Sequence, residues 1–191
     1  MRPFFFVYKN ITITWFLAFT ILGIFIGYMT FRVMFKGEKS SRDKIEDLLF
    51  TIIFSGFIFA RLFYVIFNID MYRDNIFGIF KLSHYNLSFI GGVVGAIFTM
   101  VFFGKKNKKD IWKLFNAIVP YFYITMSIVI WTLYFEIGNI QDFGLGKINI
   151  VLILSLISLG LFIFEIKKRK KEDMKISLVI FTLYVFIINF I

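Results

Sequence analysis

Arg61 is the residue in this chain best placed to do chemistry. It is the only charge well inside an apolar segment long enough to cross a membrane, Asp47–Phe67. A guanidinium at that depth needs a partner or a wet cavity, because facing lipid is costly. Its planar fork can grip a phosphate or carboxylate through two parallel hydrogen bonds. The competing readings are a structural pair with Glu136 or Asp70, or reach to nearby headgroups. Tyr64 lies three residues on and shares the helix face of Arg61. Downstream, Leu87-Ser-Phe-Ile-Gly-Gly-Val-Val-Gly95 sets Ser88 at an apolar boundary and Gly91, Gly92 and Gly95 in the first turns that follow. Side chains removed there admit a lipid headgroup or another backbone. On spacing alone, Gly91 and Gly95 read more readily as a helix-packing pair. Glu136 closes the fourth apolar segment, as a pocket carboxylate or as a solvated loop residue. His84, the single histidine, titrates near neutrality and could act as a base, although a lone loop histidine is more simply solvated.

Composition decides which solvent these groups see. Hydrophobic residues make up 59% of the 191, more than an aqueous domain of this size can hide, so most of the chain faces lipid. The absence of cysteine excludes a disulfide framework and a thiol nucleophile. One histidine is too few for a metal cluster of the usual kind, and no cofactor is expected. The net charge of +10 would suit nucleic acid, but Lys and Arg sit in loops between apolar runs, which argues for membrane orientation instead. The lysine runs at 105–109 and 167–171 can also hold anionic lipid.

Six apolar segments must position the polar groups: residues 11–35, 47–67, 87–103, 111–135, 150–166 and 176–191. Gly23 and Gly27 in the first form a small-xxx-small pair, and Pro120 interrupts the fourth and should kink it. The fifth is short and extends through Glu165 and Ile166 with the help of snorkelling lysines. Residues 1–10 carry an apolar patch expected at the interface and do not read as a cleavable signal peptide. Counting from Arg32, sixteen Lys and Arg fall in the loops after the first, third and fifth segments, against five (Arg2, Lys9, Arg73, Lys81, Lys147) on the other side. The basic loops are therefore cytoplasmic and both termini outside. The expected fold is an all-α polytopic membrane bundle of six transmembrane helices, one membrane domain over residues 1–191. That topology brings Arg61, Tyr64, Ser88, Gly91, Gly92 and Glu136 to one level near the outer leaflet.

These stretches resemble a known family. Ala60-Arg-Leu-Phe-Tyr-Val-Ile-Phe67 looks like the G-x-R-x-x-Y-V segment of the prolipoprotein diacylglyceryl transferases of bacterial membranes, and Leu87–Gly95 is similar to their S-x-H-G-G-x-x-G signature. Ile11-Thr-Ile-Thr-Trp-Phe16, the basic loop and Pro120 follow in order, so the resemblance covers about residues 11–120. It implies transfer of diacylglycerol from phosphatidylglycerol to a lipoprotein-precursor cysteine at the outer face of the cytoplasmic membrane, with glycerol phosphate leaving. In that reading Arg61 contacts the lipid phosphate, Gly91 and Gly92 let the headgroup near the backbone, and Glu136 takes the place of the family's glutamate. The chain departs from the pattern at Ile90, where the signature histidine belongs, and at Phe16, where a tyrosine is usual. Ile128–Glu136 keeps the glutamate of the R-x-G-N-F-x-N-x-E segment without its arginine or asparagines. The outer head region shrinks to a short loop, and the penultimate-span arginine and a seventh span are missing. Losing a base and electrostatic stabilisers together should slow transfer by many orders of magnitude. The alternatives are a non-catalytic lipid-binding or scaffold protein on the same fold, and a small transport subunit.

Overall fold

A computed structural model describes residues 4–8, 11–34, 39–73, 87–135, 147–168 and 174–190. Their contacts divide the chain into two compact units, one comprising Met1–Gly37, Asn116–Leu183 and Ile191, the other Glu38–Phe115 and Tyr184–Phe190.

The second unit is built on helices α2 (Lys39–Phe67) and α3 (Phe89–Lys106). At 29 residues α2 is about 43 Å long, more than the hydrocarbon core requires. It ends at Asn68, whose backbone N–H and side-chain amide both donate to the Tyr64 carbonyl, at 3.0 and 2.9 Å. A 3₁₀ turn, Ile69–Tyr72, follows. Helix α3 runs back along α2, with Gly91 against Phe63, Gly95 against Phe59 and Ser55, and the Thr99 hydroxyl donating to Ser55 Oγ. The four-residue step on both helices is the ridge spacing that lets two backbones close on each other. After α3 the basic loop turns tightly. Lys108 takes a left-handed φ of 50°, and the Asp110 carboxylate accepts from the Trp112 N–H at 3.0 Å to start α4 (Ile111–Val129).

The first unit opens with an antiparallel hairpin, β1 (Phe4–Tyr8) and β2 (Ile11–Thr14), in which Tyr8 pairs with Ile11. The first four residues of the expected first span are thus strand, and helix α1 (Trp15–Met34) starts at Trp15. The alternating β-branched run Ile-Thr-Ile-Thr favours the strand, and Thr14 Oγ1 accepts from the Leu17 N–H at 3.3 Å where the helix begins. Trp15 stacks on Phe135 with ring centroids 4.2 Å apart and meets Phe5 edge-on at 5.0 Å, an aromatic cluster of the kind that marks a membrane boundary. The Gly23–Gly27 pair packs on Thr125, whose hydroxyl donates to the Gly23 carbonyl at 3.2 Å.

Helix α4 continues through Pro120, turns at Ile130 and Trp131, and resumes as α5 (Thr132–Phe135). At the turn the Trp131 N–H reaches the Ile128 carbonyl, three residues back, so the Ser127 carbonyl loses the partner a regular helix would supply. Ser155 of α6 (Lys147–Lys168) fills that place, donating to Ser127 O at 2.8 Å in a buried setting. Ser155→Ala should therefore lower stability by about 1–2 kcal/mol, and Ser155→Thr should retain most of it, measured by thermal unfolding in detergent.

Helix α6 extends through Glu165 and Ile166 to Lys168. Glu165 is only 4% exposed, and its Oε2 accepts from Ser177 of α7 (Met174–Phe190) at 2.8 Å. Lys168 Nζ donates to the same hydroxyl at 3.1 Å, so α6 and α7 are tied at this end.

Among the described residues, five helical segments are long and apolar enough to cross a membrane: Trp15–Val33, Asp43–Phe67, Phe89–Lys106, Ile111–Phe135 and Ile148–Lys168. The apolar part of α7, Ile176–Asn189, is shorter. Large apolar side chains point outward along them, with Phe54 70% exposed, as expected where the surroundings are acyl chains. The fold is all-α and polytopic, with the short N-terminal hairpin as its addition.

Candidate functional site

The site lies within the α2–α3 unit. Arg61 is six residues from the end of α2, about 9 Å along its axis, and only 7% exposed. Two tyrosines reach it. The guanidinium carbon is 6.0 Å from the Tyr64 ring centroid and 5.6 Å from that of Tyr72. Tyr64 comes from the next turn of α2, as its spacing requires. Tyr72 comes from the 3₁₀ turn beyond the helix and is itself buried. Both rings stand within the distance at which an aromatic face attracts a cation. Asp70, one of the counter-ions offered for Arg61 on sequence grounds, pairs instead with Arg73 at 3.0 Å on the exposed surface.

Ser88 joins this group through its backbone. Its N–H donates at 2.9 Å to the carbonyl of Ala60, the residue before Arg61. Its hydroxyl accepts from the Gly91 N–H at 3.2 Å and so caps α3. The start of α3 is thereby fastened to the α2 backbone at the residue before Arg61, so the elements of the site include a helix N-terminus and a guanidinium. Both favour an anion.

The glycines divide by role. A Cβ on Gly91 would stand 2.6 Å from Phe63 Cβ and 2.8 Å from the Phe59 carbonyl, and one on Gly95 would stand 2.6 Å from Phe59 Cβ. At both positions the freed space is filled by α2, the packing alternative. Gly92 is different, since its Cβ would meet only the Gly56 carbonyl at 3.6 Å and Ala60 Cβ at 3.7 Å, ordinary contacts. Between Ser88 and Gly91, Ile90 is 45% exposed.

Five of the six residues singled out from sequence, Arg61, Tyr64, Ser88, Gly91 and Gly92, are thus carried by α2 and the start of α3. Glu136 lies outside the described residues, as does His84. Tyr72 was not singled out. The available signal was a tyrosine in the polar stretch directly after the arginine-bearing span, where interfacial aromatics concentrate.

Comparison with known proteins follows the same elements. The sequence profile of the prolipoprotein diacylglyceryl transferases matches residues 3–191. The chain belongs to the prolipoprotein diacylglyceryl transferase family. It is 30% identical over 122 residues to the phosphatidylglycerol–prolipoprotein diacylglyceryl transferase of Listeria innocua serovar 6a, covering 64% of this chain and 44% of that relative. The transferase so named in Shouchella clausii is 29% identical over 121 residues, 63% of this chain and 44% of its own length. That of Clostridium botulinum is 26% identical over 136 residues, 71% and 54% respectively. The chain spans about half the length of these relatives. A prolipoprotein diacylglyceryl transferase family member with several membrane-crossing helices, it is a multi-pass protein of the bacterial cell membrane.

Proposed function

We propose that the chain binds phosphatidylglycerol, or a similar anionic phospholipid, by its phosphate at Arg61, beside the capped start of α3, and acts on lipoprotein precursors as its relatives' names describe. In this reading the protein crosses the membrane six times with both termini outside, as one membrane domain, and the site opens to the outer leaflet. Tyr64 steadies the guanidinium, Ser88 and the N-terminal turn of α3 add favourable dipoles, and Gly92 leaves room beside Ala60. The observation that carries the reading is a buried arginine, its guanidinium near two tyrosine rings, within a membrane helix of a family member, since an intramembrane charge kept at such cost marks a functional site.

The transfer itself forms a bond between the precursor's cysteine sulfur and a glyceryl carbon and breaks that carbon's bond to the phosphate oxygen. Glycerol phosphate departs with the bonding pair, and the thiol proton must pass to a base. Arg61 offsets the charge growing on the departing phosphate. Ile90 cannot accept the proton, and this favours a second reading, lipid binding without transfer.

One assay separates the two. Purified protein in vesicles with phosphatidylglycerol and a lipobox peptide should bind the lipid and release glycerol phosphate far more slowly than a full-length relative run beside it. Lipid bound with no lipidated peptide establishes the binding-only reading. Neither binding nor product sinks both.

A further inference from the structure

We infer that Tyr72 is a positioning residue for Arg61, and that the turn after α2 thereby sets the headgroup preference of the site. The inference rests on the lipid-binding reading of Arg61 given above. Tyr72 stands outside the transmembrane helix, on the 3₁₀ turn Ile69–Tyr72, yet it is 8% exposed and its ring centroid is 5.6 Å from the guanidinium carbon. The contact is closer than that of Tyr64, which shares the helix with Arg61.

An arginine side chain has four rotatable bonds, and in a membrane helix near a boundary it can extend toward the headgroups outside. A ring supplied from beyond the helix end holds it back. The attraction between a cation and an aromatic face strengthens as water is excluded, and here both partners are buried. The turn is itself held in place. Asn68 closes α2 with two hydrogen bonds to Tyr64 O, the Met71 N–H donates to Asn68 O at 3.1 Å, and the Arg73–Asp70 pair braces its outer side. The chain thus anchors Tyr72 to the residue that carries the second ring. A guanidinium meets a phosphodiester through its in-plane N–H groups and attracts it most where no headgroup cation offsets the charge, as in phosphatidylglycerol, so a ring that orients Arg61 makes that preference depend on the turn as well as on the helix.

The test uses the full chain in vesicles of phosphatidylglycerol or phosphatidylcholine, with affinity for each lipid and melting temperature recorded for every variant. Position 72 is filled with phenylalanine and with phenylalanines carrying one, two and three ring fluorines, which hold volume while weakening the ring's negative face. Tyr72→Phe should keep phosphatidylglycerol affinity within about twofold, and the fluorinated series should lower it stepwise to about tenfold, with phosphatidylcholine unchanged. Tyr72→Leu should match the end of that series. A flat response across the fluorinated set, with Arg61→Ala still losing phosphatidylglycerol, would overturn the role of Tyr72 and leave the lipid reading standing. An Arg61→Ala protein that keeps its phosphatidylglycerol preference overturns the lipid reading itself.

Discussion

Arg61→Ala is expected to erase the preference for phosphatidylglycerol over phosphatidylcholine, weakening phosphatidylglycerol binding by roughly 30-fold to a few thousand-fold, the equivalent of about 2–5 kcal/mol. The size follows from where the charge sits. Arg61 is buried in α2 beside two tyrosine rings, so a phosphate bound there is largely desolvated and has little water to replace the lost fork. Arg61→Lys should recover only part of the loss. An ammonium keeps the charge but neither the bidentate edge nor the planar group that lies near the Tyr64 and Tyr72 rings. Native mass spectrometry of lipid adducts, or fluorescence titration against vesicles of each lipid, reads the effect directly. Stability supplies an independent check, using Arg61→Met to preserve volume. An arginine kept for binding burdens the fold and offsets part of that burden through the two rings, so its removal should change stability by no more than about 1–2 kcal/mol. An arginine kept for a structural ion pair would leave its partner stranded and lower stability by about 3–5 kcal/mol. A marked fall in melting temperature with unaltered lipid preference would falsify the proposed binding role.

What could be read from the sequence is what the membrane makes conspicuous. A single arginine among Phe, Ile and Leu stands out because lipid allows no unexplained charge, and its residue number alone placed it with Tyr64 on one helix face. Ser88 could be read as a helix start because an N-cap hydroxyl before a run of apolar residues is a local feature, and the structure adds only its bond to Ala60 O. Gly23 and Gly27 pointed to a packed face, and the partner, Thr125, was beyond reach because nothing in a 3.6-residue period says which helix comes opposite. The hairpin escaped notice for a different reason. Phe4–Tyr8 and Ile11–Thr14 are as apolar as the span that follows, so hydropathy absorbs them into it, and only the two-residue alternation of Ile-Thr-Ile-Thr distinguishes strand from helix. Tyr72 was hidden by abundance. In a chain with 29 Phe and 9 Tyr, one more aromatic carries no signal until a turn folds it back over a charge. The Ser155–Ser127 bond was likewise unreadable, because it answers a break in α4 that falls ten residues after Pro120 and involves no glycine or proline.

Gly91 and Gly92 are adjacent in sequence, and the structure separates them sharply enough to be tested. Gly91→Ala should destabilise the protein by about 1–3 kcal/mol, whereas Gly92→Ala should fall within about 0.5 kcal/mol of the parent or slightly above it. At Gly91 the added methyl would sit 2.6 Å from Phe63 Cβ and 2.8 Å from the Phe59 carbonyl, atoms fixed to the α2 backbone that no rotamer change can withdraw. The helices must part, and the 2.9 Å bond from Ser88 N–H to Ala60 O lies in the same contact. At Gly92 the methyl meets nothing closer than 3.6 Å, and alanine's better helix propensity works in its favour. Gly95→Ala belongs with Gly91, since it too would press on Phe59 Cβ at 2.6 Å. Binding data should sort the same variants in another order. If Gly92 leaves room for the headgroup, Gly92→Ala will weaken phosphatidylglycerol binding without loss of stability. Gly91→Ala will weaken it only as far as it displaces Ser88 from Ala60, together with a lower melting temperature. Equal melting temperatures for the two alanine variants would mean that α2 and α3 do not close on each other at Gly91, and the fastening of Ser88 to Ala60 would lose its basis.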